Sequence, residues 1–262
     1  MSTRAATYEA EVTACTRLTP HLTRLELGGE GLAGFASTGV PDEWVGLVVP
    51  GQFQSRYYTV RTWDDAARRL VLDIVVHDVG LVTEWVTRGD CVGQTCVVTE
   101  PKGSFAMPDG AGWLLLVGDL TALPAMARIA ETSTVPTRVW AEVPDGPMPD
   151  YLAGDGLDGL TWLEQPGESR SSLAEVVETI AWPEGEGYFW MAGESAQMRA
   201  IRKHLMRERR LASEAYDVMG YWRGGAQRQP RAVDPGPIWR AGKAAGHSDE
   251  QIWADYDRAQ NA

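Results

Sequence analysis

The sequence is poor in cysteine and histidine, and this scarcity excludes several functional classes. Three cysteines, at positions 15, 91 and 96, fit neither a disulfide framework nor a zinc site in a chain of 262 residues. We expect Cys91 and Cys96, five positions apart on a predicted strand, to point to opposite faces. The four histidines are scattered, and Gly-x-Ser-x-Gly and P-loop patterns are absent. Hydrolase and metalloenzyme functions are therefore disfavoured, and no metal site is predicted.

Positive charge is also scarce, since 24 Lys and Arg stand against 36 Asp and Glu, for a net charge of -12. This excess of acid disfavours nucleic acid or an anionic membrane as the main partner. Apolar runs such as Trp113–Val117 are too short to span a bilayer, and the first residues lack an apolar secretion signal. We therefore expect a reduced, cytoplasmic monomer without membrane insertion.

Residues 1–107 are predicted to form an antiparallel β-domain. Short segments rich in β-branched and aromatic residues alternate with glycine-rich or proline-rich breaks, as in a barrel or a sandwich. One short helix is expected at Leu81–Thr87. The predicted strands are Tyr8–Arg17, Leu22–Leu27, Val45–Val49, Ser55–Trp63, Arg69–His77 and Gln94–Thr99.

Residues 108–225 have the alternating strand and helix pattern of an α/β domain with a parallel sheet. The predicted strands are Trp113–Val117, Thr137–Val143, Tyr188–Ala192 and Tyr216–Trp222. The predicted helices are Leu120–Glu131, Ser172–Ile180 and Ala196–Leu211, and a loop is expected at Pro144–Gly159. In the tail, residues 226–262, we expect an irregular stretch up to Gly246 and then a helix at Ser248–Ala259, with Ser248 as its N-cap.

The segment at residues 56–61 reads Arg-Tyr-Tyr-Thr-Val-Arg on a predicted strand. Because side chains alternate along a strand, one face carries Arg56, Tyr58 and Val60, and the other carries Tyr57, Thr59 and Arg61. An arginine fork binds phosphate, a tyrosine stacks on a flat ring, and a threonine hydroxyl bonds to ring nitrogen or oxygen. This combination suits a flavin nucleotide. An ordinary exposed strand is an equal alternative, because strands favour Tyr and Thr.

Three strand-to-helix turns offer further sites for an anionic ligand. After the strand that ends at His77, Gly80 begins a helix whose free N–H groups and Thr83 hydroxyl suit a pyrophosphate. Gly118-Asp119-x-Thr121 and Gly193-Glu194 each follow a buried strand, at the sheet edge where α/β proteins bind nucleotides. A nicotinamide dinucleotide would span these two turns. As alternatives, His77 is a strand-end residue bound to nearby backbone, and Asp119, Thr121 and Glu194 act only at the helix starts.

These segments occur in the order found in the siderophore-interacting proteins, a family of FAD-dependent ferric-siderophore reductases in the ferredoxin-reductase superfamily, which the chain resembles over most of residues 5–225. The motifs that carry the resemblance are Arg56-x-Tyr58-Thr59-x-Arg61, Asp73-x-x-x-His77 with Gly80-x-x-Thr83-x-Trp85, Gly118-Asp119-x-Thr121-Ala-Leu-Pro124, Ala192-Gly193-Glu194 and Tyr221-Trp222-Arg223-x-Gly225. The chain departs from the usual pattern at Leu81-Val82-Thr83, where the family has Pro and Ala-Ser, and at Leu120, where it has Glu.

The resemblance implies a flavin-binding barrel followed by a nucleotide-binding α/β domain. It implies catalytic roles for Tyr58, which would cover one face of the flavin, and for Thr59, near its N5 atom. It also implies cofactor contacts from the other motif positions, which are Arg56, Arg61, Asp73, Val75, His77, Gly80, Thr83, Trp85, Gly118, Asp119, Thr121, Gly193 and Glu194.

The implied activity is electron transfer from NADPH, NADH or a ferredoxin, through bound FAD, to a ferric siderophore. Reduction weakens the hold of hard oxygen ligands on the iron and releases it as Fe(II). Cations near the domain boundary and after the last strand are candidates for binding an anionic siderophore, with solvated surface charge as the alternative for each; they are Lys102, Arg223, Arg228 and Arg231. Two other functions stay open, a general flavin or ferredoxin-type reductase and a non-enzymatic siderophore or flavin binder.

Overall fold

A closed antiparallel barrel forms the first part of the molecule. In the computed structural model, residues 6–259 are described, except 53, 78–79, 168–169, 225–234, 249–250, 252–254 and 256–257. The barrel has the strand order β1-β2-β5-β4-β3-β6, and α1 (Leu81–Thr87) lies between β5 and β6. The strands are β1 (Thr7–Thr19), β2 (Leu22–Gly28), β3 (Trp44–Val48), β4 (Arg56–Asp64), β5 (Arg69–Val75) and β6 (Thr95–Thr99).

Alternation along the strands separates the inside of the barrel from its outer face. Leu25 and Leu27 on β2, and Leu70 and Leu72 on β5, are fully buried in the barrel core. The residues next to them in sequence, such as Arg24 and Glu26, point outward because successive side chains of a strand face opposite ways. The outer face of β2, β4 and β5 is therefore free to contact the second domain.

The second part is a parallel sheet with strand order β11-β10-β7-β8-β9. Its strands are β7 (Leu114–Asp119), β8 (Thr137–Val143), β9 (Leu157–Glu164), β10 (Tyr188–Glu194) and β11 (Tyr216–Trp222). Helix α2 (Leu123–Thr132) packs on one face, and α3 (Leu173–Thr179) and α4 (Ser195–His204) pack on the other. The chain changes direction across the sheet between β7 and β10, which is where α/β proteins have a ligand crevice at the carboxyl edge.

The predicted fold class, a barrel followed by a parallel α/β domain, is confirmed. Within the barrel, the prediction that Cys91 and Cys96 face opposite ways is wrong, because Cys91 lies in a turn before β6 and both side chains pack in the barrel core. The predicted loop at Pro144–Gly159 is partly wrong, because β9 begins within it at Leu157. β9 is the edge strand of the sheet and is only half-buried, so it lacks the continuous apolar run by which a buried strand is predicted.

Two predictions in the later part of the chain also need correction. The stretch up to Gly246, predicted to be irregular, contains α5 (Pro235–Ala244). The helix predicted at Ala196–Leu211 is α-helical only as far as His204, and a π-helical turn, Leu205–Arg209, follows it. The Ser248 cap is observed, since the Gln251 N–H donates to its hydroxyl at 3.3 Å, but much of the helix predicted after it lies outside the described residues. No helix in the described ranges is long and apolar enough to cross a bilayer.

A buried carboxylate joins the barrel to the α/β domain. Asp73 on β5 accepts a 2.8 Å hydrogen bond on each oxygen from the Arg24 guanidinium. The Tyr151 hydroxyl, from the connection between β8 and β9, donates to the same carboxylate. Burial and the neighbouring Asp73 raise the pKa of Tyr151, so the hydroxyl keeps its proton and remains a donor. Asp73 is only 2% exposed, so water does not stabilise its charge. Hydrogen bonds from Arg24 in the barrel and from Tyr151 in the α/β domain do so instead.

Two more arginines cross the same junction. Arg128 on α2 donates to the Val60 carbonyl oxygen at 2.7 Å and lies 3.1 Å from the carboxylate of Glu43, which is fully buried. Arg61 on β4 donates to both carboxylate oxygens of Glu131 near the end of α2, at 3.0 and 2.5 Å. Strand β4 is therefore fixed against α2 at two points.

We predict that Asp73→Asn destabilises the protein by about 2–3 kcal/mol, because it leaves Arg24 without its charge partner at a buried contact. Urea unfolding measures the loss. Glu26→Gln is the matched control, since Glu26 pairs with Arg69 at 3.3 Å on the exposed part of the same outer face. The control should cost less than about 1 kcal/mol. Equal losses for the two variants would contradict the importance assigned to Asp73.

Candidate functional site

The beginning of β4 faces the carboxyl edge of the parallel sheet. Thr59 is 6% exposed, and its side chain lies close enough to that of Tyr221, near the end of β11, to influence the pKa of the Tyr221 phenol. The next residue, Val60, receives the hydrogen bond from Arg128 described above. These contacts set the Arg-x-Tyr-Thr segment of the barrel directly against the edge that ends β7, β10 and β11.

Arg56, Tyr57 and Tyr58 form the more accessible end of this strand. Arg56 is exposed, and Tyr57 is 69% exposed, the largest exposed fraction among the big apolar side chains in the described part of the chain. Tyr58 packs against the barrel core on the same side as Val60, as the predicted alternation requires. Burial raises the pKa of Tyr58 despite the opposing effect of Arg56, so the phenol stays neutral and can donate a hydrogen bond.

The turn after β5 lies at the same end of the barrel, because β5 runs antiparallel to β4. The His77 N–H donates to the Thr83 hydroxyl at 3.2 Å, which ties the end of β5 to the first turn of α1. Gly80 precedes α1 with φ of 153°, a conformation that favours glycine. The structure therefore brings Gly80 and Thr83 together at a constrained turn.

Trp85 lies in a different environment from the one the resemblance implies. It is 4% exposed, packs in the barrel core, and donates from Nε1 to Gln94 Oε1 at 2.8 Å. It therefore anchors α1 to the barrel and does not face the cleft.

At the carboxyl edge, Asp119 is the central side chain. It is 3% exposed and accepts hydrogen bonds from the Thr121 N–H at 2.9 Å, the Thr121 hydroxyl at 2.5 Å and Trp222 Nε1 at 2.6 Å. Burial raises its pKa to about 6, although these hydrogen bonds oppose the shift. A Cβ on Gly193 would lie 2.5 Å from Asp119 Oδ2, so only glycine fits there. Gly118, Asp119, Thr121 and Gly193 are thus brought together between β7 and β10.

Glu194 acts at the start of α4. Its carboxylate accepts from the N–H groups of Ala196 at 2.7 Å, Gln197 at 3.0 Å and Gly224 at 3.1 Å. This is the helix-start role given above as the alternative, and it also fixes the chain that follows β11. Its two oxygens are already engaged with backbone donors, so a direct cofactor contact is not what the structure indicates.

Asp73, Val75 and Arg61 belong to the domain junction rather than to the cleft. Both oxygens of Asp73 are bound by Arg24 and Tyr151, and Arg61 is paired with Glu131. Val75 is half-buried against the core of the α/β domain. In this structure these three residues have structural roles at the junction, and the cofactor contacts that the resemblance implies for them stay predictions.

Of the four candidate cations for substrate binding, the structure describes Lys102 and Arg223, and these two lie apart. Lys102 is exposed, and its backbone pairs with Trp44, with N–O distances of 2.7 and 3.0 Å. Two residues later, Ser104 contacts Asp217 and Met219 in the first half of β11, whereas Arg223 is exposed beyond the end of that strand. Arg228 and Arg231 lie outside the described residues. Arg223 is thus the cation nearest to the carboxyl edge among those described.

A shared hydrogen bond at the junction was not predicted from the sequence. The Ser104 hydroxyl lies 2.8 Å from Asp42 Oδ2 and 2.8 Å from Asp217 Oδ2, and it has only one proton to donate. Asp42 also accepts from the N–H groups of Ser104 and Phe105, so it is well satisfied as a carboxylate. We infer that Asp217 carries a proton and donates to Ser104. Burial and the nearby Asp42 raise the pKa of Asp217, which agrees with this assignment.

Tyr221 lies within one of the predicted motifs, but no role was predicted for its side chain. Burial, followed by the charges of Asp42, Asp217 and Asp119, raises the pKa of Tyr221, and the nearby Thr59 side chain partly offsets this shift. Tyr221 is therefore a neutral phenol between β4, the strand predicted to contact flavin, and three acidic side chains. No spacing rule connects residues this far apart in the chain, so only the fold brings them together.

Comparisons with known proteins agree with this arrangement. A family model described as Siderophore-interacting protein matches residues 111–225, and one described as Siderophore-interacting FAD-binding domain matches residues 51–105. An uncharacterized protein of Mycobacterium tuberculosis is 30% identical over 255 residues, covering 82% of this chain and 89% of its own. The NADPH-dependent ferric-chelate reductase of Escherichia coli is 28% identical over 249 residues, covering 82% and 92%. The crystal structure of a siderophore utilization protein from T. fusca is 28% identical with a TM-score of 0.75, and covers 87% of this chain and 97% of that chain.

We predict that the free energy of unfolding of Asp217→Asn, relative to that of the wild-type protein, is higher at pH 8 than at pH 4. The expected change in this difference is about 1 kcal/mol, the net worth of one hydrogen bond. The raised pKa means that the folded state binds this proton more tightly than the unfolded chain, so its contribution is present at pH 4 and is lost as the pH rises through the folded pKa. Asparagine keeps a donor toward Ser104 at both pH values.

Urea unfolding of both proteins at the two pH values measures this difference. Asp109→Asn, at an exposed position, is the control and should show the same difference at pH 4 and pH 8. If the Asp217→Asn difference is also the same at both pH values, the shared-proton assignment is wrong.

Proposed function

The chain belongs to the siderophore-interacting protein family, and from that premise we propose that it is an FAD-dependent reductase of ferric siderophores. We further propose that NADPH or NADH supplies the electrons, with a ferredoxin as the alternative donor. The observation that supports this best is the 2.7 Å hydrogen bond from Arg128 on α2 to the Val60 carbonyl oxygen, which holds the flavin-type strand of the barrel against the α/β domain. One cleft would then serve both the cofactor and the donor.

The residues at the beginning of β4 fit FAD in chemistry and in accessibility. The exposed Arg56 guanidinium offers a planar fork of donors to a phosphate, and the turn at Gly80 and Thr83 lies at the same end of the barrel. Tyr58 would lie against the ring system and Thr59 would bond to it through its hydroxyl. When bound, FAD accepts a hydride's two electrons and releases them singly, which is the chemistry that the protein residues themselves lack.

The carboxyl edge suits a nicotinamide nucleotide. Gly118, Asp119, Thr121 and Gly193 converge between β7 and β10, the position at which open α/β sheets bind such ligands. The relative from Escherichia coli is named an NADPH-dependent reductase, which favours NADPH as the donor. Trp222, which is held by Asp119, stands at the same place and would limit how a nicotinamide ring enters.

The substrate in this proposal is an Fe(III) complex with hard oxygen ligands, many of which are anionic. The chain has a net charge of -12, so only a local cation would attract such a complex. Arg223 is exposed beside the loop that Glu194 holds, close to the carboxyl edge. We therefore assign Arg223 to the substrate side of the cleft.

Purification followed by anaerobic titration tests the proposal. The purified protein should retain FAD, and NADPH, NADH or reduced ferredoxin should bleach its oxidised absorbance. A ferric siderophore should then restore the colour faster than a small iron chelate does. Equal rates would favour a general flavin or ferredoxin-type reductase, and a failure of all donors to bleach would favour a non-enzymatic binder.

We predict that Arg56→Ala weakens FAD binding roughly ten- to a hundredfold, because one charge-assisted hydrogen bond to phosphate is lost. The flavin-to-protein ratio after purification and a titration of the apoprotein with FAD measure the effect. Arg69→Ala is the control, since Arg69 is an exposed arginine on the neighbouring strand and pairs only with Glu26 in the described contacts. Unchanged FAD affinity in Arg56→Ala would refute the phosphate role.

We predict that Arg223→Glu lowers kcat/KM for an anionic ferric siderophore by roughly tenfold, through weaker electrostatic attraction, and leaves the flavin content unchanged. Arg199→Glu makes the same charge change on the exposed side of α4 and controls for total charge. A neutral siderophore should be reduced at nearly the same rate by all three proteins. The assignment fails if Arg199→Glu has the same effect, or if the neutral substrate is slowed equally.

A further inference from the structure

The end of α4 and the turn after it concentrate positive charge in an otherwise acidic chain. Five of the 24 Lys and Arg residues fall between positions 202 and 210, where the only acid is Glu208, although the net charge of the chain is -12. We call the exposed surface of this segment the basic face. It consists of Arg202, Lys203, Met206, Arg207, Arg209 and Arg210, all of which are exposed.

Helical periodicity separates the basic face from the side of α4 that packs on the sheet. Met198, Ile201 and Leu205 are buried and pack with Phe189 of β10 and Val218 of β11. Side chains three or four positions apart lie on the same side of a helix. The exposed positions 202, 203, 206, 207 and 210 therefore form one strip on the solvent side, away from the sheet.

Neighbouring acids do not neutralise this strip. Glu208 Oε2 lies 3.0 Å from His204 Nδ1, so the one acid of the segment is directed toward the partly covered histidine. Lys203, Arg207 and Arg210 form no ion pair within the described ranges. Their charges are therefore available to a partner outside the chain.

The other two cations are fixed in place by neutral groups. Arg202 donates to the Val218 carbonyl oxygen on β11. The Arg209 guanidinium lies over the Trp182 ring, 4.6 Å from its centre. A carbonyl dipole and an aromatic face attract a cation without cancelling its charge. The basic face is thus largely preformed, and binding a partner would order few additional side chains.

An exposed methionine lies among the cations. Met206 is 61% exposed, one of three large apolar side chains that are exposed in the described part of the chain. It lies between Lys203 and Arg210, three and four positions away on the same strip. Long cationic side chains around an apolar one are typical of helices that lie on anionic lipid, because the cations contact headgroup phosphates while the apolar group enters between them.

The basic face is separate from the candidate site. α4 begins at Ser195, at the carboxyl edge of the sheet, and an α-helix rises about 1.5 Å per residue, so Lys203 lies about 12 Å along the helix from that edge. The barrel lies across the sheet, because α2, which contacts β4, packs on the face opposite to α4. A partner on the basic face would therefore leave the cleft and the barrel uncovered.

We propose that the basic face docks the protein reversibly on the surface of an anionic lipid bilayer. The net charge of -12 disfavours a membrane as a partner for the surface as a whole, but charges in 0.1 M salt are screened beyond about 10 Å. With α4 lying along the bilayer, the cations are within that distance of the lipid phosphates, whereas the barrel is on the far side of the sheet. Met206 favours lipid over nucleic acid, which has no apolar layer for it to enter.

Sedimentation of the full-length protein with lipid vesicles tests the proposal. At about 0.1 M NaCl, we expect binding to vesicles of phosphatidylcholine with one third phosphatidylglycerol, and little binding to phosphatidylcholine alone. In 1 M NaCl the binding should be lost, because the screening length falls to about 3 Å. Equal binding to both vesicles, or no binding of the wild-type protein to the anionic ones, would overturn the proposal, and neither result depends on a variant folding.

Variants locate the contact. Lys203→Glu combined with Arg207→Glu should weaken binding to the anionic vesicles roughly tenfold or more, because two attractive charges become repulsive. Met206→Ser should weaken it roughly threefold, through the loss of apolar contact, and leave its salt dependence unchanged.

Arg88→Glu combined with Arg138→Glu is the matched control, since it makes the same charge change at exposed arginines on α1's end and on β8. This control should bind within about twofold of the wild-type protein, and an equal loss in the control would show that total charge alone is responsible. Tighter retention of the wild-type protein by double-stranded DNA or by soluble polyglutamate than by the anionic vesicles would identify a different partner. Either result would contradict docking on lipid.

Discussion

The contact of strand β4 with helix α2 is the constraint on which the candidate site depends. Arg128 binds the Val60 carbonyl and Glu43, and Arg61 binds Glu131, so the strand is held at its midpoint, Val60, and at the next residue. One residue before Val60, Thr59 lies close enough to Tyr221 to influence the pKa of the phenol. If this strand shifted by one residue, its alternating faces would exchange, and Thr59 would turn away from the sheet edge. The arginines at the junction therefore set the register on which the cleft is built.

The junction concentrates acidic side chains without leaving them unpaired. Glu43 receives hydrogen bonds from Ser37 and Thr38 as well as from Arg128. Asp42 and Asp217 share the Ser104 hydroxyl, and a proton on Asp217 lowers the charge between them. Buried carboxylates are costly unless each has donors or a proton, and here each has one or the other. The cleft is consequently acidic on the side of Tyr221, so in the proposed function the attraction of an anionic substrate falls to cations such as Arg223.

Much of the fold followed from local patterns, and the exceptions have physical reasons. The barrel strands and the strands at the centre of the sheet were predicted because their apolar residues repeat with the period of a strand or run without a break. β9 was missed because an edge strand needs to bury only part of its side chains. The Asp42, Ser104 and Asp217 contact was missed because its members are far apart in sequence and none has a distinctive neighbour. Such contacts depend on how the two domains dock, which no local pattern records.

The motif residues divide into those proposed to contact a cofactor and those that bind other protein groups. Arg56, Tyr58 and Thr59 lie on the strand that faces the sheet edge, whereas Asp73, Trp85 and Glu194 are bound to other protein groups. The glycines belong to the second group, since Gly193 makes room for the Asp119 carboxylate that in turn holds Trp222. A recurring residue in a motif is therefore not necessarily a ligand. Because the supporting residues fix the backbone on which the others stand, their replacement should affect stability before it affects the binding of a cofactor.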